Sequence, residues 1–291
     1  MVAGSFSQSS FLQQIRSEFL IRPWIILSVL GFTLANWFFE ILKWKDLVSS
    51  VKKISFFEAF KQSTSSLTAS LLTPNRIGEY GTKAIYFDRF QRKKVMFLNL
   101  IGNLSQMFAT IVFGLLGFVI FYRHLEFNMD LQAINSFLII GSVLLAILII
   151  FRFKNYFWNR FVLKGLEYFR EVPGKVIGNS IKYSFLRYLI FSHQFYFLLV
   201  IVGADLDYFT AMGAVFSMYF IASIIPGFVV FDFIVKGSIA ISVFGLYGVS
   251  ELLILSVTMM MWLLNFALPA IIGSYYVFAF KLPQTAKITV E

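Results

Sequence analysis

The sequence predicts an all-α polytopic membrane protein built as an inverted repeat, with two re-entrant helical hairpins and about five full spans. Three observations predict it. Of the 291 residues, 58% are hydrophobic and only 14% charged, where soluble domains carry roughly a quarter of charged residues. Several apolar runs reach about 20 residues, enough at 1.5 Å per residue to cross a hydrocarbon core of about 30 Å. Two further apolar stretches are broken near their middles, by Thr73-Pro74-Asn75 and by Ile225-Pro226-Gly227. Neither reads as one uninterrupted helix.

Taken in order, residues 1–22 mix Ser, Gln, Arg and Glu with Phe11, Leu12, Ile15, Phe19 and Leu20. They read as an amphipathic lead-in helix, without the charged start and short apolar core of a cleavable signal. Full spans are predicted over 23–42, 95–121, 131–151, 183–203 and 252–280, each apolar and ended by charged or aromatic residues. Between them lie the broken stretches 56–90 and 207–248, whose arms of about 15 to 20 residues are short for full spans. Gln62, Ser63, Thr64, Ser65, Ser66, Thr68 and Ser70 crowd the first arm, which favours a hairpin that enters and returns. Proline is tolerated in a first helical turn and Thr73 can cap it, so a half-helix is predicted to start at Pro74. Pro74, Gly78, Pro226 and Gly227 are the predicted helix breaks.

Charge places the ends. Lys43, Lys45, Lys52, Lys53 and Lys61 precede the first hairpin and Arg89, Arg92, Lys93 and Lys94 follow it, which puts both its ends on the cytoplasmic side. The loop 152–182 holds seven basic residues against two acids and is again cytoplasmic. Arg123, Glu126, Asp130, Asp205 and Asp207 fit the opposite face, and Lys281 and Lys287 bring the tail 281–291 back to the cytoplasm. The outcome is one transmembrane domain over 23–280 in a cell inner membrane, with repeats at 23–121 and 183–280 of opposite orientation. Residue identity between the two repeats is slight; the repetition lies in hydropathy and breaks.

Composition also excludes. The chain has no cysteine and two histidines, His124 and His193, so neither a metal nor another cofactor is expected. A net charge of +10 is assigned to cytoplasmic loops facing anionic headgroups, not to nucleic acid. Gly-rich phosphate loops, His-Glu-x-x-His helices and Gly-x-Ser-x-Gly elbows are missing from the sequence, and an enzyme is not expected.

Charged groups at membrane depth mark pathways and sites. Arg76, Glu79 and Lys83 fall at i, i+3 and i+7, on one stripe of a helix starting at Pro74, with Tyr80 and Tyr86 beside it. The positive end of that helix and an arginine in its first turn would hold an anionic oxygen such as a lipid phosphate. The structural alternative is that Arg76 and Glu79 only pair with each other or with Glu40. Asp232 and Lys236, spaced i, i+4, are the counterpart at the second break, either as substrate contacts or as a self-neutralised pair. Asn36, Glu40 and Lys43 share a face of the first span, where snorkelling accounts for Lys43. Asn99, Asn103 and Gln106 line one side of the 95–121 helix and are expected to bond between helices. Arg187 is expected to reach the headgroups, and His193 to be a packing residue.

The run Leu72-Thr73-Pro74-Asn75-Arg76-Ile77-Gly78-Glu79, preceded by Asn36-Trp37, Glu40 and Lys43-Trp44, resembles the lysylphosphatidylglycerol synthase transmembrane-domain family. That family includes the flippase portion of the bacterial multiple peptide resistance factor. Its Pro-x-Arg-x-Gly-Glu element is followed downstream by a Pro-Gly element and an acidic residue, here Pro226-Gly227 and Asp232. The resemblance, over about 23–280, implies lipid translocation by re-entrant hairpins. Full-length synthases add a cytosolic aminoacyl-transferase domain; the present sequence resembles a stand-alone member, and lipid aminoacylation is not expected of it.

The leading expectation is therefore a transporter or flippase that moves an anionic or phosphate-bearing lipid, or an isoprenoid-phosphate carrier, between leaflets. Membrane lipids are the expected partners, and a homo-oligomer is compatible with the sequence. Arg76 and Lys83 would bind headgroup phosphate, with Glu79, Tyr80, Asp232, Lys236 and Glu40 around it. The rivals are a membrane partner of a cell-envelope glycosyltransferase and an intramembrane lipid-modifying enzyme.

Overall fold

The computed structural model describes residues 23–71, 73–74, 76–124, 165, 167–225 and 231–280. Their regular structure is helical: α1 (Pro23–Val48), α2 (Phe56–Leu71), α3 (Ile77–Ile85), α4 (Arg92–His124), α5 (Gly174–Ile201), α6 (Tyr208–Ile224), α7 (Asp232–Gly245), α8 (Glu251–Trp262) and α9 (Leu268–Phe278). A π-helical turn, Leu263–Ala267, joins α8 to α9.

Four helices among these residues are long and apolar enough to cross a membrane: Pro23–Val48, Arg92–Ile120, Gly174–Ile201 and the continuous Glu251–Phe278. They match four of the spans expected from hydropathy. The fifth, over 131–151, lies outside the described residues, as do the lead-in 1–22, Pro226, Gly227 and the tail 281–291. The broken stretches resolve into short helices of 16 and 9 residues (α2, α3) and of 17 and 14 residues (α6, α7). Each falls short of the about 20 residues that span a bilayer core.

Local chemistry fixes where these helices start. Ser55 and Glu58 form a reciprocal capping box before α2: the Ser55 amide donates to Glu58 Oε2 at 2.7 Å and the Glu58 amide to Ser55 Oγ at 3.1 Å. Asp207 caps α6, accepting from the amides of Phe209 and Thr210 at 3.0 and 3.1 Å. The π turn has an equally local cause. Pro269 has no N–H to offer the carbonyl of Asn265 four residues back, and that carbonyl accepts instead from Trp37 Nε1 of α1 at 3.2 Å.

The helices pack as two interlocked halves. Exchanging α1 with α5, α2 with α6, α3 with α7 and α4 with the α8–α9 span carries every principal packing pair onto another. Thus α4 packs on α6 of the other half just as α9 packs on α2, while α1 and α5 pack on each other across the middle. Glycine makes both crossed contacts tight. A Cβ on Gly273 of α9 would come within 2.1 Å of the Thr64 carbonyl oxygen of α2, and one on Gly117 of α4 within 2.6 Å of Phe216 Cβ on α6.

Two apolar clusters result. One gathers Ile25 and Val29 of α1 with Tyr188, Phe195 and Leu198 of α5 and the buried faces of α6, α7 and α8. The other gathers Ile41, Trp44, Leu47 and Val48 of α1 with Ala59, Ala84, Phe87, Val95 and Leu98. Along α1 and α5 the buried residues between the clusters are polar, namely Thr33, Asn36, Ser180 and Ser184. Meanwhile Leu27 and Leu34 stand about 70% exposed on the outer face of α1, as expected of side chains facing lipid.

Candidate functional site

The site starts at the turn between α2 and α3. Here the structure corrects the expected helix start: α3 begins at Ile77, and Pro74 sits in the turn before it. Arg76 precedes the helix in the left-handed region, φ 58°, and among the described residues it alone does so without being glycine. Such a backbone costs an L-residue roughly 1–2 kcal/mol. Gly78 lies inside the first turn of α3. It permits a close approach, since a Cβ there would lie 2.4 Å from the Ala69 carbonyl oxygen of α2. Thr73 does serve the helix: its hydroxyl accepts from the Gly78 amide at 2.9 Å.

From this start α3 carries its charges into the protein. Glu79 bridges two cations, with Arg76 Nε 3.2 Å from Oε2 and Lys83 Nζ 2.8 Å from Oε1. Glu79 and Lys83 are almost completely buried, while the Arg76 side chain is 45% exposed. Lys83 Nζ also donates to Asn99 Oδ1 of α4 at 2.7 Å and lies 4.4 Å from the centre of the Trp44 ring. Trp44 is fixed in turn, donating from Nε1 to Gln62 Oε1 at 2.8 Å. Tyr80 accepts from Asn103 Nδ2 at 3.1 Å, and Tyr86 meets Ser65 Oγ at 3.1 Å.

A second triad repeats the pattern. Glu40 of α1 pairs with Lys43 at 2.7 Å and with Arg187 of α5. Two expectations are corrected. Lys43 does not snorkel: its side chain is 4% exposed, because Glu40 one turn back supplies an internal partner. Nor does Arg187 reach the headgroups, since it donates to Asn36 Oδ1 at 3.1 Å and to Gln106 Oε1 at 3.3 Å within the bundle. The sequence signal was available, because a charge in the middle of a 28-residue apolar helix has no water within easy reach.

The polar contacts run on from Asn36, which donates to Asn265 Oδ1 of the π turn at 2.8 Å. Asn265 donates to Gln194 Oε1 at 3.0 Å, and Gln194 to Thr33 Oγ1 at 2.8 Å. Sequence reading singled out neither Asn265 nor Gln194. Their one-letter spacing is unremarkable, and only the crossing of α1, α5 and the last span brings them together. His193 bonds to the Leu189 carbonyl and the Tyr208 hydroxyl at 2.7 and 2.9 Å, a packing arrangement as expected.

At the second break, Asp232 and Lys236 pair within α7, 2.5 Å apart, with Lys236 Nζ 5.0 Å from the centre of the Phe266 ring. Asp232 lies within electrostatic range of Arg76, as does Glu40, and Lys83 lies within range of Glu40. The structure therefore brings Arg76, Glu79, Tyr80, Lys83 and Glu40 into one neighbourhood, with the Asp232–Lys236 pair at its edge. Charged triads of this kind attract and orient an anionic group.

Comparison with known proteins agrees with this architecture. No curated protein and no solved structure matches the chain. The sequence model of the family described as the lysylphosphatidylglycerol synthase TM region matches residues 2–273. A match of that extent, on an all-helical membrane fold, means that the chain belongs to the lysylphosphatidylglycerol synthase TM region family.

Proposed function

We propose that the protein is a lipid transporter, moving an anionic or phosphate-bearing lipid or lipid carrier between the leaflets of a cell inner membrane. One observation carries the reading. Arg76 stands half exposed in a strained turn between two helices too short to span, paired with a buried Glu79 and within electrostatic range of Asp232 of the second broken pair. In this reading α2–α3 and α6–α7 are re-entrant hairpins entering from opposite faces, with the C-terminus cytoplasmic. Irregular backbone at membrane depth is tolerated where it lines a cavity, and paired interruptions of this sort hold the substrate in inverted-repeat transporters. The family's lipid connection supports the substrate class.

Lipid would leave as it entered. No chemical step is assigned, and mass spectrometry of the lipid before and after passage is expected to show no change. The rival reading, a packing partner of a glycosyltransferase, requires Arg76 to be spent on Glu79 alone. Its exposed guanidinium favours transport.

Reconstitution tests the proposal. Purified protein in liposomes is expected to move a fluorescent anionic phospholipid between leaflets, and Arg76→Ala and Glu79→Ala each to slow it at least about tenfold, the loss expected for a charge-assisted contact of roughly 1.5–3 kcal/mol. Transport left intact by both substitutions would remove these residues from the mechanism. No transport by the unaltered protein would remove the function.

A further inference from the structure

The charges around the site do not balance, and the imbalance has a definite sign. Each carboxylate is flanked by two cations: Glu79 by Arg76 and Lys83, Glu40 by Lys43 and Arg187. Four cationic groups thus face two carboxylates, and the neighbouring Asp232–Lys236 pair is neutral in itself. Two positive charges remain uncompensated among the described residues. Lys43, Glu79 and Lys83 are at most 4% exposed, so water cannot answer them as it answers a surface lysine.

Hydrogen bonding shows the same excess independently. Lys83 takes the Oδ1 of Asn99, and Arg187 takes the Oε1 of Gln106. A cation binds the carbonyl end of an amide, which turns the NH₂ end away from it. Accordingly Asn99 Nδ2 and Gln106 Nε2 are both buried without a hydrogen-bond partner among the described residues, Asn99 being only 2% exposed. The two amides lie seven residues apart on one face of α4, Asn99 against Lys83 of one triad and Gln106 against Arg187 of the other. Buried amide donors are almost always satisfied in folded proteins, so these two call for an acceptor from outside. Glu79 Oε2, a buried carboxylate oxygen without an aligned bond, already faces Arg76.

We propose that the two cation–carboxylate–cation triads and the free amides of Asn99 and Gln106 form a site for a phosphate monoester. This rests on the transport reading and narrows its substrate. A monoester presents three acceptor oxygens and no donor, and above its second ionisation at about pH 6 it carries close to two negative charges. A phosphodiester headgroup carries one and would answer only one of the two excess positive charges. The same chemistry is found in a lipid monoester and in a soluble one, and the source is an arm of the test.

The detergent-solubilised protein at pH 7.5 is titrated with short-chain phosphatidic acid, short-chain phosphatidylglycerol and glycerol 3-phosphate, and binding is read as the rise in thermal unfolding temperature. Phosphatidic acid is expected to bind at least about tenfold more tightly than phosphatidylglycerol, since one further charge pair near a protein surface exceeds that factor. Glycerol 3-phosphate binding as tightly as phosphatidic acid assigns the site to soluble monoesters; much weaker binding assigns it to lipid. Gln106→Glu places a carboxylate beside Arg187 and removes one excess charge, and it is expected to abolish the preference for the monoester. Asn99→Asp does the same beside Lys83. Equal affinity of the unaltered protein for the two lipids, or a preference unchanged in both variants, overturns the proposal. Lipid translocation without monoester preference leaves transport standing and removes this inference, whereas selective binding without translocation removes transport and leaves the site.

Discussion

Arg76 shows at the scale of one residue how the sequence sets up a strained, charged corner. Its left-handed backbone is one that L-residues avoid because Cβ crowds the following carbonyl, and glycine would adopt it freely. An arginine kept there implies that the guanidinium is worth more than the strain, and outliers of this sort gather at functional sites. The two contributions separate in a pair of variants. Arg76→Gly relieves the strain and Arg76→Ala keeps it, while both delete the charge. In detergent, Arg76→Gly is expected to be the more stable of the two by about 1 kcal/mol, read from thermal or denaturant unfolding, and both are expected to lose transport. Equal stability would mean that the turn relaxes and stores nothing.

At the scale of elements, the π turn is the joint that ties the last span to the centre of the bundle. Pro269 frees the Asn265 carbonyl for Trp37, and the Asn265 side chain links Asn36 of α1 to Gln194 of α5. Asn265→Leu keeps the branched shape, adds some bulk and removes the side-chain bonds. Hydrogen bonds between membrane helices average about 0.6 kcal/mol and reach about 1.7, so a loss of roughly 1–2 kcal/mol in unfolding free energy is expected. A change below about 0.3 kcal/mol would show that the partners re-pair without it. The same joint marks what was legible beforehand. Hydropathy alone located four long helices and both interrupted stretches, because apolar length reports directly on crossing a bilayer. The Arg76–Glu79–Lys83 stripe was legible too, since i, i+3 and i, i+4 spacing survives a shifted helix start. Asn265, Gln194 and the inward turn of Arg187 were not, because their partners lie 71 to 229 positions away and depend on which faces of α1, α5 and the last span meet. Lys43 was misread for a related reason: from sequence a lysine near a helix end has water as its default partner, and only packing shows that Glu40 is nearer.

At the scale of the whole molecule, the exchange symmetry of the packing leads to a prediction of which parts would move together during transport. The first helix of each short pair is fastened to the closing span of the other half, α2 to α9 and α6 to α4, by close contacts that leave no room for a Cβ on the glycine. Interfaces packed that closely transmit motion as rigid units. The contacts between α3 and α4, by contrast, are made at the site through polar side chains, Lys83 to Asn99 and Asn103 to Tyr80, which can exchange one partner for another. Alternating access would then slide the α2–α9 unit past the α4–α6 unit and remodel the contacts between α3 and α4. Because the chain has no cysteine, engineered pairs report without background. Thr68 and Ala270, whose hydroxyl and carbonyl oxygen are 2.8 Å apart, lie within one unit, and joining them as Thr68→Cys with Ala270→Cys through a short thiol cross-linker is expected to leave lipid transport within about twofold. Tyr80 and Asn103 lie across the moving boundary. Cross-linking Tyr80→Cys to Asn103→Cys is expected to stop whatever transport the reduced double variant retains, and reduction to restore it. Transport blocked by the first cross-link, or untouched by the second, would assign the motion to other interfaces and dissolve the two-unit description, while the static symmetry of the packing would remain.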